Sequence, residues 1–61
     1  MKGFYQLQYE DEKGPDTIDP LVSIHFTDDK IEVCNTYASY EVKKEFAHTM
    51  KIKFIEEKED E

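Results

Sequence analysis

Along this chain, apolar residues alternate with polar ones more often than they recur at helical spacing, and this predicts a sheet protein. Tyr5, Leu7 and Tyr9 alternate with Gln6 and Gln8, so Phe4 to Tyr9 reads as a first strand. Leu21 to Phe26 reads as a second, with Val22, Ile24 and Phe26 on one face. Ile31 to Asn35 reads as a third, with Ile31 and Val33 on one face. Thr27-Asp28-Asp29-Lys30 between them is a turn signal. With Asp28-Asp29 at the tip, Phe26 faces Ile31, Ile24 faces Val33, His25 faces Glu32 and Ser23 faces Cys34. Apolar then meets apolar and polar meets polar, which is the agreement that sets a register.

The intervening stretches carry weaker patterns. Residues 10–20 hold both prolines, Gly14 and five acids, with Gly-Pro and Asp-Pro punctuation. They predict a long loop, and long loops are often functional. In residues 40–49, Val42, Phe46 and Met50 recur at helical spacing, Ser39 is placed to cap, and Glu41, Lys43, Lys44, Glu45 and Ala47 form helices well. A short helix is favoured there, although Tyr40, Val42, Lys44 and Phe46 also alternate as in a strand. Met50 to Ile55 reads as a last strand, with Met50, Ile52 and Phe54 inward and Lys51 and Lys53 outward. Glu56 to Glu61 reads as an acidic tail after a single domain spanning 1–55.

The predicted class is α+β: a small four-stranded, mostly antiparallel sheet with one short helix, burying Leu7, Ile24, Val33, Phe46 and Phe54. The alternative is an all-β five-stranded meander or small barrel.

Composition changes this picture in three ways. A chain of 61 residues makes one domain at most. A domain of that size buries only about 60% of the surface its unfolded chain exposes. Eight aromatic residues argue for a folded body rather than an acidic disordered segment. The net charge is −7, and every basic residue is Lys. The missing Arg and the negative balance argue against direct binding of nucleic acid or an anionic membrane, and favour a basic partner. Cys34 is the single cysteine, and no apolar run resembles a signal peptide or a spanning helix. A cytoplasmic protein is expected.

Candidate chemistry is sparse. Cys34 and His25 are diagonal neighbours in the predicted hairpin, but so short a chain has little material to wall a reactive pocket, and no enzyme is expected. His25, Asp28, Cys34 and His48 are the conceivable metal ligands, and none shows the close spacing of a zinc site. No calcium loop or Gly-rich phosphate loop is present. No cofactor or metal is expected.

The acidic residues carry the clearest functional signal. Glu10, Asp11 and Glu12 with Asp16 and Asp19 form one cluster, Asp28, Asp29 and Glu32 a second, and the C-terminal acids a third. A groove built for phosphates also attracts carboxylates, with fast, salt-sensitive association. The expected function is therefore a small protein-binding module that modulates or inhibits a larger partner, in its stronger form a nucleic-acid-processing protein whose basic groove the carboxylates occupy. Tyr37 and Tyr40 are expected as exposed anchors at the interface. The alternative is a structural subunit or homodimer associating through a sheet edge or a tyrosine surface. By composition alone the profile is similar to small accessory or inhibitor proteins of bacteria and their phages.

Overall fold

The computed structural model describes residues 2–58. Six strands and one short 3-10 helix follow in the order β1 (Lys2–Asp11), β2 (Gly14–Ile18), β3 (Leu21–Phe26), β4 (Ile31–Asn35), β5 (Ser39–Val42), the 3-10 turn (Lys44–Thr49) and β6 (Lys51–Glu57). They form two three-stranded antiparallel sheets, ordered β2-β1-β6 and β3-β4-β5. No closed barrel forms among the described residues. The architecture is therefore mostly β, with two sheets in place of the single four-stranded sheet and helix that the pattern predicted.

The core lies between the two sheets. Leu7 and Tyr9 of β1 meet Ile31 and Val33 of β4, and Ile18 of β2 and Val42 of β5 complete the buried cluster. Leu7, Ile31 and Val33 have a strand on both sides, whereas Tyr9, Ile18 and Val42 have one paired strand and are sealed by packing within the cluster. Leu21, Ile24, Phe46, Ala47 and Met50 pack around this cluster while staying partly exposed. Of the predicted core, Leu7 and Val33 are fully buried and Ile24 and Phe46 partly so. Phe54 is 41% exposed, and Ile52, Val22 and Phe26 are also exposed. Phe54, Ile52 and Phe26 lie on outer strands and are left uncovered. Val22 falls at the register shift between Leu21 and Ser23, where Leu21 packs on the core in its place, so Val22 does not share the expected face with Ile24.

The β3–β4 hairpin has the predicted register: Phe26 pairs Ile31, Ile24 pairs Val33, His25 pairs Glu32 and Ser23 pairs Cys34. Its turn is closed by Thr27, whose N–H donates to the Lys30 carbonyl at 2.9 Å and whose Oγ1 accepts from Lys30 N–H at 3.1 Å.

Two segments differ from the expectation. Residues 10–20 are not a loop: β1 runs on to Asp11, turns through Glu12 and Lys13, and returns as β2. Gly14 takes φ +111°, which favours a glycine, and Asp11 Oδ1 accepts from Lys13 N–H at 2.8 Å inside the turn. Pro15 is tolerated because β2 is an outer strand with one free edge. The Asp19–Pro20 peptide, which leads to the second sheet, is cis.

Residues 40–49 are not an α-helix. Ser39–Val42 is the strand β5, paired with β4, and buries Val42. What remains, Lys44–Thr49, is long enough only for a 3-10 turn, and Lys43 before it makes no side-chain cap. Thr49 ties the end of this turn to the sheet: its Oγ1 donates to the Phe46 carbonyl at 2.7 Å and accepts from Glu10 N–H at 2.9 Å.

The molecule is long, 46 × 20 × 16 Å. Ten extended residues of β1 span about 33 Å at ~3.3 Å each, which accounts for most of that length. β1 pairs with two partners in sequence along its course: Lys2 to Gln8 with β6, and Leu7 to Asp11 with β2. Only Leu7 and Gln8 have a strand on both sides, so a two-stranded β1–β6 ribbon extends beyond the core. β6 itself continues through Glu56 and Glu57, two residues of the predicted tail; Glu59, Asp60 and Glu61 lie outside the described residues.

Candidate functional site

The two described acidic clusters are distant in sequence, and the structure brings them, apart from Asp19, towards one end of the molecule. Asp19 accepts from Gln6 Nε2 at 2.7 Å and lies beside Asn35 at the other end of β4. β5 and the 3-10 turn join the two clusters. Lys43, just after β5, pairs with Glu12 in the β1–β2 turn. Lys44 Nζ donates to the Asp28 carbonyl in the β3–β4 turn. Adjacent lysines thus reach the tips of both hairpins, and Asp28 and Asp29 remain exposed beside them. Glu10 and Glu12 are also exposed, and Asp11 is partly buried by the turn it caps.

The outer face of the β3-β4-β5 sheet adds carboxylates to the same end. His25, Glu32 and Glu41 occupy successive positions in one row, because His25 pairs Glu32 and Glu32 pairs Glu41. Directly opposed residues have Cβ atoms about 4.5–5.5 Å apart, and like charges so placed repel. Among the described residues no lysine bridges Glu32 or Glu41. The next row on this face is Ser23, Cys34 and Ser39. The face is polar throughout, with Cys34 partly buried and unpaired with another cysteine.

Glu41 belongs to this outer face, and the sequence pattern did not single it out as a site residue. The strand-like alternation of Tyr40 and Val42 carried the signal but was outweighed by the helical spacing, and pairing this strand with β4 sets Glu41 against Glu32. Asp16 lies across β1–β2 from Tyr9, whose hydroxyl donates to Asp16 Oδ2 at 3.4 Å. Burial raises the Tyr9 pKa above the ordinary tyrosine value, and the nearby carboxylates of Asp16 and Asp11 raise it further.

The two tyrosines expected to anchor a partner are separated. Tyr37 stands at the β4–β5 turn and is 84% exposed. Asn35 shapes that turn, its Oδ1 accepting from the N–H groups of Tyr37 and Ala38 at 2.8 and 2.7 Å. This turn is at the far end of β4 from Asp28 and Asp29, so Tyr37 shares no surface with them. Tyr40 pairs Val33 and points towards the gap between the sheets, near Tyr9, Asp16 and Asn35, with 43% of its surface exposed.

A depression of about 680 Å³ forms an open groove along β1 and β2 beneath the end of the 3-10 turn. Glu10, Asp16, His48 and Lys51 line it, so it mixes both signs of charge. Among the described residues no buried side-chain polar atom lacks a hydrogen-bond partner, and no three His, Cys, Asp or Glu side chains are placed to hold a metal ion. His25 and Cys34 do share the outer face as diagonal neighbours, but Asp28 is in the turn and His48 lies over the other sheet's groove. No helix among the described residues is long and apolar enough to cross a membrane. What the surface can do is present carboxylates at fixed positions on a rigid sheet and two tight turns. Comparison with known proteins finds no family model, no curated protein and no solved structure that matches this chain.

Proposed function

We propose that this protein is an acidic binding module that modulates or inhibits a larger protein by docking its carboxylate-rich end on a basic surface of that partner. The observation that carries this reading is the opposed pair Glu32 and Glu41 on the outer face of one sheet. Two like charges directly opposed across a strand pair cost stability. A partner that supplies cations relieves that repulsion on binding, so part of the affinity is stored in the free protein. Asp28, Asp29, Glu10, Asp11 and Glu12 extend the same field towards the hairpin tips.

In its stronger form, the partner is a nucleic-acid-handling protein, because a groove that neutralises phosphates with Lys and Arg attracts carboxylates by the same field. Carboxylates on strands and turns enter such a groove without the ordering cost of a flexible acidic tail. Tyr37, remote from the acids, is not part of this docking surface.

The test is capture of partners from host lysate on the immobilised protein, washed in steps of rising salt and repeated with E32Q/E41Q and with D28N/D29N. A basic partner that leaves the wild type at moderate salt, and leaves both variants at lower salt, supports the reading. A partner held equally by all three proteins through high salt refutes it.

A further inference from the structure

β6 ends its sheet, and its far edge has no strand beside it among the described residues. Such an edge offers unpaired backbone N–H and C=O groups, and proteins usually defend it with charge, Lys above all. The charges on β6 are ordered: Lys51 and Lys53 fall in its first half, Glu56 and Glu57 in its second. That order repels a parallel copy, which would place like on like. It matches an antiparallel copy, which places cations against anions.

We infer that the free edge of β6 pairs with the same edge of a second copy of this chain, antiparallel and centred on Phe54. The inference is independent of the acidic docking end, which β6 does not contribute to. A two-fold axis perpendicular to the sheet keeps core-facing residues on one side in both copies. Centred on Phe54, it sets Phe54 against Phe54 of the partner subunit and Lys51 against Glu57 of the partner subunit, twice by symmetry. Centring one step earlier on the same side of the pleat, on Ile52, leaves Glu56 and Glu57 unpaired. Centring on Lys53 opposes the two lysines. Centring on Ile55 keeps a lysine–glutamate pair, Lys53 with Glu57 of the partner subunit, but loses the aromatic pair, because Phe54 then meets Glu56 of the partner subunit. The Phe54 register alone joins aromatic to aromatic and lysine to glutamate.

The apolar side of the ribbon suits this pairing. Tyr5, Ile52 and Phe54 are 55%, 58% and 41% exposed, although all three are on the core-facing side, in line with Leu7. Tyr5 pairs Phe54 across β1–β6. The dimer therefore carries a row of four rings, Tyr5 and Phe54 from each copy, across the four central strands of a six-stranded sheet. Cross-strand aromatic pairs are among the more stabilising neighbours in a sheet.

The test is sedimentation equilibrium on the full chain from micromolar to millimolar concentration, with amide hydrogen exchange measured at both extremes. The expected result is a monomer–dimer equilibrium in which alternate amides of β6 exchange more slowly at high concentration. K51E sets Glu against Glu57 of the partner subunit at two symmetric places and weakens the dimer about tenfold. K51E/E57K restores it. If K51E does not fold, the exchange pattern of the wild type decides alone. A monomer throughout the range overturns the inference, as does a dimer whose β6 amides gain no protection or one that a folded K51E leaves equally tight.

Discussion

Phe54 meets Tyr5 edge to face across the β1–β6 pair, ring centroids 5.2 Å apart at 66°, and the far rim of the Phe54 ring lies over Gly3. A Cβ on Gly3 would come within 2.4 Å of Phe54 Cζ and 2.4 Å of the Ile55 carbonyl oxygen. The ring can swing away, but the backbone oxygen cannot move without breaking the ladder. Gly3 is therefore required by a close approach and not by a turn.

Gly3→Ala is expected to destabilise the ribbon by about 1–3 kcal/mol, the usual cost of overpacking. In a domain of this size that lowers Tm by roughly 4–8 °C per kcal/mol. Thermal unfolding followed by circular dichroism checks it. An unchanged Tm would mean that Phe54 does not lie over Gly3 in solution.

Leu7 is fully buried at the one place where β1 has strands on both sides. Leu7→Ala is expected to cost about 2–5 kcal/mol. So small a domain has little stability in reserve, and this variant should be largely unfolded at 37 °C. Ile52→Ala, at an exposed position in the same register row, should cost far less. Urea unfolding of the two variants, side by side, measures the contrast.

Thr49→Val keeps the shape of the side chain and removes the hydroxyl that links the 3-10 turn to Glu10. The expected loss is about 1 kcal/mol, because the Glu10 end of the link is near water and can be resolvated. Faster exchange of the Glu10 amide in Thr49→Val distinguishes the loss of this link from a general loosening.

Raising the Tyr9 pKa ties stability to alkaline pH. An unfolded tyrosine ionises near pH 10, while folded Tyr9 holds its proton to higher pH. Between those two values the unfolded chain has lost a proton that the folded chain retains, so stability falls as pH rises through that window. Below it both states are protonated and Tyr9 adds no slope. Tyr9→Phe should remove its share of the slope above about pH 10. Comparing denaturant midpoints of the two proteins from neutral to strongly alkaline pH decides it.

Glu41→Lys should raise stability while weakening the proposed docking. It replaces a repulsive opposition to Glu32 with an attractive one, worth about 0.2–1 kcal/mol at low salt and less at high salt. A variant with higher Tm and lower partner affinity would identify Glu41 as a residue kept at a cost to folding. A drop in both would mean that Glu41 has a structural role instead.

The β3–β4 hairpin could be read from sequence because two independent signals agreed: the turn at Asp28-Asp29 and the match of Ile24 and Phe26 with Val33 and Ile31. β2 was hidden for the opposite reason. Only Ile18 of its five residues is buried, Pro15 reads as a breaker, and the acids read as loop. An outer strand needs little apolar pattern, since its partner supplies the hydrogen bonds. Residues 40–49 misled because Val42, Phe46 and Met50 fit helical spacing, and each does turn towards the core, but from a strand, a 3-10 turn and the residue after it. Two clusters of the acidic surface were visible as runs of letters. Their approach to one another was not, because it depends on Lys43 and Lys44 reaching two turns that are far apart in sequence.

The pairing of β1 with β6 also bears on how the chain reaches this structure. Three of its strand pairs, β1–β2, β3–β4 and β4–β5, join neighbours through tight connections and can form locally. The β1–β6 pair joins the first described strand to the last, so its closure requires the greatest loss of chain freedom and comes slowly. Until then Phe4 and Tyr5 sit on the half of β1 that has no neighbour. The interval before β6 arrives is thus when the chain is most open to aggregation, and the same aromatic side chains that later line the ribbon are the ones at risk.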